Sequence, residues 1–111
     1  MNDRDRLYVV HIAEAIERIR RFTATGRAAF MTDEMIQSAV VRQIEVIGEA
    51  ARNLSSELKS DELAVPWRKI IGTRDRLIHG YSEVNLDAVW AIVERDLAQL
   101  DREVKRILGQ S

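Results

Sequence analysis

The sequence predicts an all-α fold, an up-and-down four-helix bundle with room for a short extra helix. Three observations predict it. Only one proline and five glycines punctuate 111 residues, so long uninterrupted helices are expected. Apolar residues recur at steps of three and four over most of the chain, as one face of a helix requires. The connections between these stretches are short, which favours neighbours packed side by side in a bundle.

The first helix is expected from Asp5 to Phe22, where Val9, Ile12, Ile16 and Ile19 form one face. Thr23 to Phe30, holding Gly26, reads as a connection. Thr32 or Asp33 is placed to cap the second helix, since a short polar side chain there can accept from the free N–H groups of the first turn. Its stripe is Ile36, Val40, Ile44, Ile47, Ala51, Leu54 and Leu58. Gly48 sits within this helix at a cost of about 1 kcal/mol relative to alanine. With Ala50 and Ala51 it makes a small-residue patch where another helix can come close, and ordinary tight packing is enough to account for it.

Lys59 to Val65 reads as a polar loop. Pro66 suits the first turn of a third helix, where a backbone N–H has no acceptor within the helix and its absence from proline costs nothing. That helix is expected from Trp67 to about His79, with Gly80 as its stop. Asn85 can cap the last helix, whose stripe is Leu86, Val89, Val93, Leu97, Leu100, Val104 and Ile107 before Gly109 ends it.

No repeat, linker or low-complexity segment divides the chain, so residues 1–111 are expected to form a single domain. Apolar residues make up 46%, enough for a core, and charged residues 32%, enough for a solvated surface. A domain of this size buries only a modest share of its surface, and one face set against a second copy would help it. The absence of cysteine excludes disulfides and thiolate metal sites and fits a reducing, cytoplasmic setting. The opening Met-Asn-Asp-Arg-Asp-Arg lacks the apolar stretch of a signal peptide. No run approaches the roughly 18 to 20 apolar residues that cross a bilayer, so no membrane association is expected.

Net charge is −1, from 17 basic and 18 acidic residues, which is not the balance of a protein that coats nucleic acid non-specifically. Yet only Lys59, Lys69 and Lys105 are lysines, and the other fourteen basic residues are arginines. Arginine presents a planar fork suited to phosphate and carboxylate. Most of these are read as solvated helix-face charges, Arg18, Arg20 and Arg21 among them, which leaves space for one local phosphate site.

The chemistry concentrates in Ile71-Gly-Thr-Arg-Asp-Arg-Leu-Ile-His-Gly-Tyr81. Trp67, Ile71, Arg74, Ile78 and Tyr81 fall close to one stripe of the third helix. A charge in an apolar stripe is costly unless paired, so Arg74 needs either a buried partner or an anionic ligand. His79 lies five residues on, about 140° away on an ideal helix. The two converge only if the helix ends near Gly80 or a second copy supplies the facing half. Asp75 and His79 are i and i+4, neighbours on one face, where a carboxylate orients an imidazole and favours its protonated form.

The block from Pro66 to Tyr81 resembles the most characteristic segment of HepT-like proteins, the HEPN-domain partners of minimal nucleotidyltransferases in toxin–antitoxin pairs. Their motif is arginine, four residues, histidine, one residue, tyrosine, matched by Arg74, His79 and Tyr81. The position of Asp75 commonly holds a polar residue, often asparagine, and aspartate adds a charge. Ile47-Gly-Glu-Ala-Ala51 and Val84-Asn-Leu-Asp-Ala-Val-Trp90 resemble further family segments, whereas the first helix agrees in pattern alone.

The resemblance implies a metal-independent endoribonuclease that works as a homodimer with its cleft between subunits and needs no cofactor. In it the substrate's 2′-hydroxyl attacks the neighbouring phosphorus, His79 moves protons, Arg74 clamps the phosphate and Asp75 holds His79. It also implies a nucleotidyltransferase antitoxin that attaches AMP to Tyr81. The alternative from a different class is a non-catalytic helical subunit that binds the nucleotidyltransferase.

The remaining candidates carry less. Two histidines without cysteine make no zinc spacing, and no metal is expected. His11 falls off its helix's apolar stripe and reads as a surface residue. Trp67 and Trp90 read as core or interface anchors.

Overall fold

Asn2 caps the first helix: its Oδ1 accepts from the Asp5 amide at 2.6 Å, and α1 runs over Asp3–Phe22. The structure is a computed structural model that describes residues 1–79 and 84–109, with the side chains of all of these except residues 78 and 79. The predicted stripe of α1 is its buried face, with Val9, Ile12, Ile16 and Ile19 at most 1% exposed. The chain then turns at Gly26, whose φ of +95° an L side chain rarely adopts.

The expected connection is partly helical. Arg27–Thr32 forms a short helix, α2, because Phe30 within it is fully buried, its ring 5.4 Å from that of Trp90. Asp33, the second of the two cap candidates, accepts from the amides of Met35 at 2.9 Å and Ile36 at 3.4 Å and starts α3, Glu34–Asn53.

The second predicted helix does not run through to Leu58. Leu54 is extended, with ψ 149°, and Ser55 starts a separate short helix, α4 (Ser56–Asp61), by accepting from the Leu58 amide. The break has a tertiary cause. The buried carboxylate of Asp5 accepts from the Ser55 amide at 2.8 Å and from its hydroxyl at 2.6 Å, which satisfies a backbone donor that a continuous helix would have used internally. Both Leu54 and Leu58 are still buried.

α5 spans Trp67–His79 and starts where predicted, and the Pro66 carbonyl accepts from the Ile70 amide at 3.1 Å. Asn85 caps α6, Leu86–Ala91, by accepting from the Ala88 amide at 3.1 Å. The last predicted helix is interrupted by one π-helical segment, Ile92–Asp96, before α7 continues over Leu97–Gly109. Val93 falls in that segment and is only half-buried, while Val89, Leu97, Leu100, Val104 and Ile107 keep the stripe in the core.

Among the described residues every regular element is helical. α3 packs against α1, α2 and α5, and α1 also packs against α7. The helical bundle expected from the sequence is therefore present, with two short helices rather than one inserted in its connections. No helix of the described residues is long and apolar enough to cross a membrane.

Candidate active site

Arg74 lies where α5 crosses α3, and glycine makes the crossing possible. A Cβ added to Gly48 would fall far inside contact distance of the Arg74 Cβ and 2.6 Å from its Cγ. The small-residue patch read from the sequence is thus the seat of α5, and Arg74 is the residue that sits on it. The root of the arginine side chain is fixed by backbone contact.

Its tip is fixed by charge. Arg74 Nη2 lies 2.7 Å from Glu49 Oε2, across the seam on α3, and Nη1 donates to Asp75 Oδ1 at 2.9 Å. The arginine side chain is 19% exposed, and those of Glu49 and Asp75 are 53% and 43% exposed. The guanidinium therefore lies under a rim of two carboxylates that face water. Its Nε is buried and has no hydrogen-bond partner among the described residues.

Of the two ways sequence reasoning offered to satisfy Arg74, a protein partner is present, but its carboxylates face water and are not the buried partner expected. The pairing leaves anion binding open, because a guanidinium carries five N–H donors and two carboxylates do not exhaust them. Local charge is less favourable than the sequence suggested, however: one arginine against two carboxylates sums to −1. Glu49 is not among the residues that the sequence marked for chemistry, although it lies in the family-like Ile47–Ala51 segment and beside Gly48, in the patch where another helix approaches.

Asp75 is placed as expected on α5, but its Oδ1 is engaged by Arg74. Helix α5 runs unbroken from Arg74 to His79, and its expected stop, Gly80, lies outside the described residues. The side chain of His79, and Gly80 and Tyr81 altogether, lie outside the described residues.

The other candidates are accounted for by packing. Trp67 is buried and its Nε1 donates to the Glu62 carbonyl at 3.1 Å. Trp90 meets Phe30, and His11 is half-buried with its ring edge-on to Tyr8 at 5.9 Å. Arg20 is not simply solvated; its Nη1 donates to Asp101 Oδ2 at 2.9 Å and ties α1 to α7. An apolar cleft of about 100 Å³ lies beside α5, lined by Ile44, Ile47, Ile70, Leu97 and Leu100 among others, but Arg74 and Asp75 are not part of its wall.

Comparison with known proteins adds an independent line. The family model described as ribonuclease HepT-like matches residues 12–107. A protein of Caldanaerobacter subterraneus subsp. tengcongensis, named as a candidate RNase, is 38% identical over 104 residues, 93% of each chain. A protein of Thermococcus cleftensis, named as a candidate ribonuclease HepT, is 37% identical over 101 residues, 90% of this chain and 92% of its own. A candidate RNase of Methanocaldococcus jannaschii is 32% identical over 107 residues, 95% of this chain and 98% of its own. No solved structure matches the chain.

Proposed function

Because the chain belongs to the ribonuclease HepT-like family, we propose that it is the endoribonuclease toxin of a toxin–antitoxin pair, with Arg74 and His79 as its catalytic residues. The observation that carries this reading is the family match over 12–107, which includes the arginine-x4-histidine-x-tyrosine block, together with Arg74 set into a helix seam under a solvent-facing rim.

The reaction needs no metal. The 2′-hydroxyl oxygen attacks the adjacent phosphorus and gives up its proton, the bond from phosphorus to the 5′-oxygen breaks, and that oxygen gains a proton. The products are a 2′,3′-cyclic phosphate and a 5′-hydroxyl. His79, with an unperturbed pKa for its residue type near 6.5, suits both proton movements. Arg74 offers a fixed positive fork to the phosphate and to the charge that grows on it in the transition state. Asp75 supports His79 at the i+4 position. In a homodimer whose cleft lies between subunits, Arg74 of one copy faces His79 of the other, and the 140° separation on one helix is no obstacle.

The negative rim also suits a regulated enzyme. A nucleotidyltransferase antitoxin that transfers AMP to Tyr81 adds a phosphate beside a site already short of positive charge, and RNA is repelled. The protein would act in the cytoplasm, where its RNA substrate and partner are.

One observation favours the non-catalytic alternative: Arg74 already has two carboxylate partners and so does not require a ligand. The deciding experiment incubates purified homodimer with single-stranded RNA in EDTA, then with the neighbouring nucleotidyltransferase, ATP and magnesium. Wild type is expected to leave 2′,3′-cyclic ends, His79→Ala and Arg74→Ala to leave RNA intact, and mass to increase in AMP units at Tyr81 as cleavage stops. Cleavage by either alanine variant at the wild-type rate overturns the assignment of the site. A clean wild type that cuts no RNA favours the binding subunit.

A further inference from the structure

Arg74 is anchored at both ends by α3. Gly48 receives its Cβ and Cγ, and Glu49, the next residue, faces its Nη2. Glu49 is itself held, because its Oε1 accepts from Asn53 Nδ2 at 3.3 Å while that same nitrogen donates to the Glu49 carbonyl at 2.8 Å. The two carboxylates around the guanidinium are not equivalent. Asp75 is adjacent to Arg74 and moves with α5, whereas Glu49 ties the guanidinium to a different helix. Nε has no hydrogen-bond partner among the described residues, so it contributes nothing to aiming the group.

We propose that Glu49 is a positioning residue, one that fixes the Arg74 guanidinium in the orientation from which it meets the scissile phosphate. The proposal rests on the ribonuclease reading above and adds a residue to it. The ion pair lies at a surface rim, where such pairs contribute little to stability. Its value is orientational: a long side chain with several rotatable bonds is held in one direction before substrate arrives, and misplacement by about 1 Å is enough to lower a rate a hundredfold. The cost is a competing negative charge, which is tolerable because the guanidinium has donors beyond the one Glu49 meets.

Two measurements on Glu49→Ala and Glu49→Gln test it. The first is 15N NMR of the Arg74 guanidinium: wild type is expected to show separate Nη signals from hindered rotation, and both variants to show them merged. The second is steady-state cleavage. Glu49→Ala is expected to lower kcat about tenfold with KM within about twofold of wild type, Glu49→Gln to fall between, and both to melt close to wild type. Separate Nη signals in Glu49→Ala overturn the proposal, and so does a wild-type kcat once the signals have merged. A fall in KM with kcat unchanged also overturns it, since that marks Glu49 as a mere competitor of the phosphate. If wild type cuts no RNA, the ribonuclease reading fails, and the NMR measurement still decides whether Glu49 orients Arg74.

Discussion

Helix α3 packs against its two main neighbours, α1 and α5, in two chemically different ways. Its contact with α1 is a conventional apolar seam, to which α1 brings Val9, Ile12, Ala15, Ile16 and Ile19 and α3 brings buried residues such as Val40 and Ala51, all of them within the buried core. Its contact with α5 is mixed: Gly48 lets the helices approach, and the side chain that fills the space is an arginine held by Glu49. The α1 seam removes apolar surface from water and stabilises by area. The α5 seam places one charge at a defined point under a polar rim. One helix thereby serves the fold with one side and the site with the other.

The sharpest way to break this comparison is to damage the apolar seam alone. Ile12→Ala removes most of a side chain with no exposure and leaves a cavity, so a loss of about 2–5 kcal/mol is expected in urea unfolding. Per folded molecule, RNA cleavage is expected to stay within about twofold, because Ile12 lies on α1 whereas the groups that hold Arg74 are on α3 and α5. A loss below about 1 kcal/mol would mean that stability does not reside in this seam.

A smaller effect is expected at the second seam. Gly48→Ala gains up to about 1 kcal/mol of helix propensity, but its Cβ collides with the root of Arg74, which cannot swing aside as a flexible tip can. Overpacking of this kind costs about 1–3 kcal/mol, so a net loss of about 1–2 kcal/mol is expected. The mechanism has its own control. In an Arg74→Gly background the obstructing atoms are gone, and Gly48→Ala should become neutral or stabilising. If it still destabilises by the same amount there, the collision with Arg74 is not the cause.

What the sequence made legible follows the range of the interactions. The start of α5, the cap Asn85, the choice of Thr32 or Asp33 for the other cap, and the stripes of α1 and α7 depend on neighbours within a few residues, and all were readable. The end of α3 was not, because Ser55 is captured by Asp5 from fifty positions away. Periodicity carried the stripe smoothly through Leu58 and gave no sign of that contact. The π-helical segment at Ile92–Asp96 likewise leaves the step pattern of apolar residues intact, so no sequence signal marked it. At the site, the need for a partner to Arg74 was legible from its place in an apolar stripe, but which carboxylate would answer depended on how α5 crosses α3. Glu49 lies in the family-like Ile47–Ala51 segment, but only the crossing shows it to be a partner of Arg74.

Asp101 sharpens the comparison, since it too is a charge set in an apolar stripe, but one that serves the fold. It is 9% exposed, and its Oδ2 takes Arg20 Nη1 at 2.9 Å and Lys105 Nζ at 3.0 Å, which joins α7 to α1. Burial pushes its pKa up, but the hydrogen bonds and charges of Lys105 and Arg20 outweigh burial and hold it below the ordinary 3.8. A depressed pKa means that the unfolded chain binds more protons than the folded one in that acid range, so stability rises with pH there. The contribution is fully present above 3.8 and is lost as pH falls through the depressed folded value. Asp101→Asn keeps the shape and removes the charge. Because Arg20 and Lys105 are themselves largely in water, its cost near neutral pH is expected at only about 1 kcal/mol. Urea unfolding of both proteins at pH 7 and at steps below pH 4 should show the gap closing as the wild-type carboxylate takes up its proton. A gap that stays constant to the most acidic point would mean that the loss does not come from the charge of Asp101, and the parallel with Arg74 would end there.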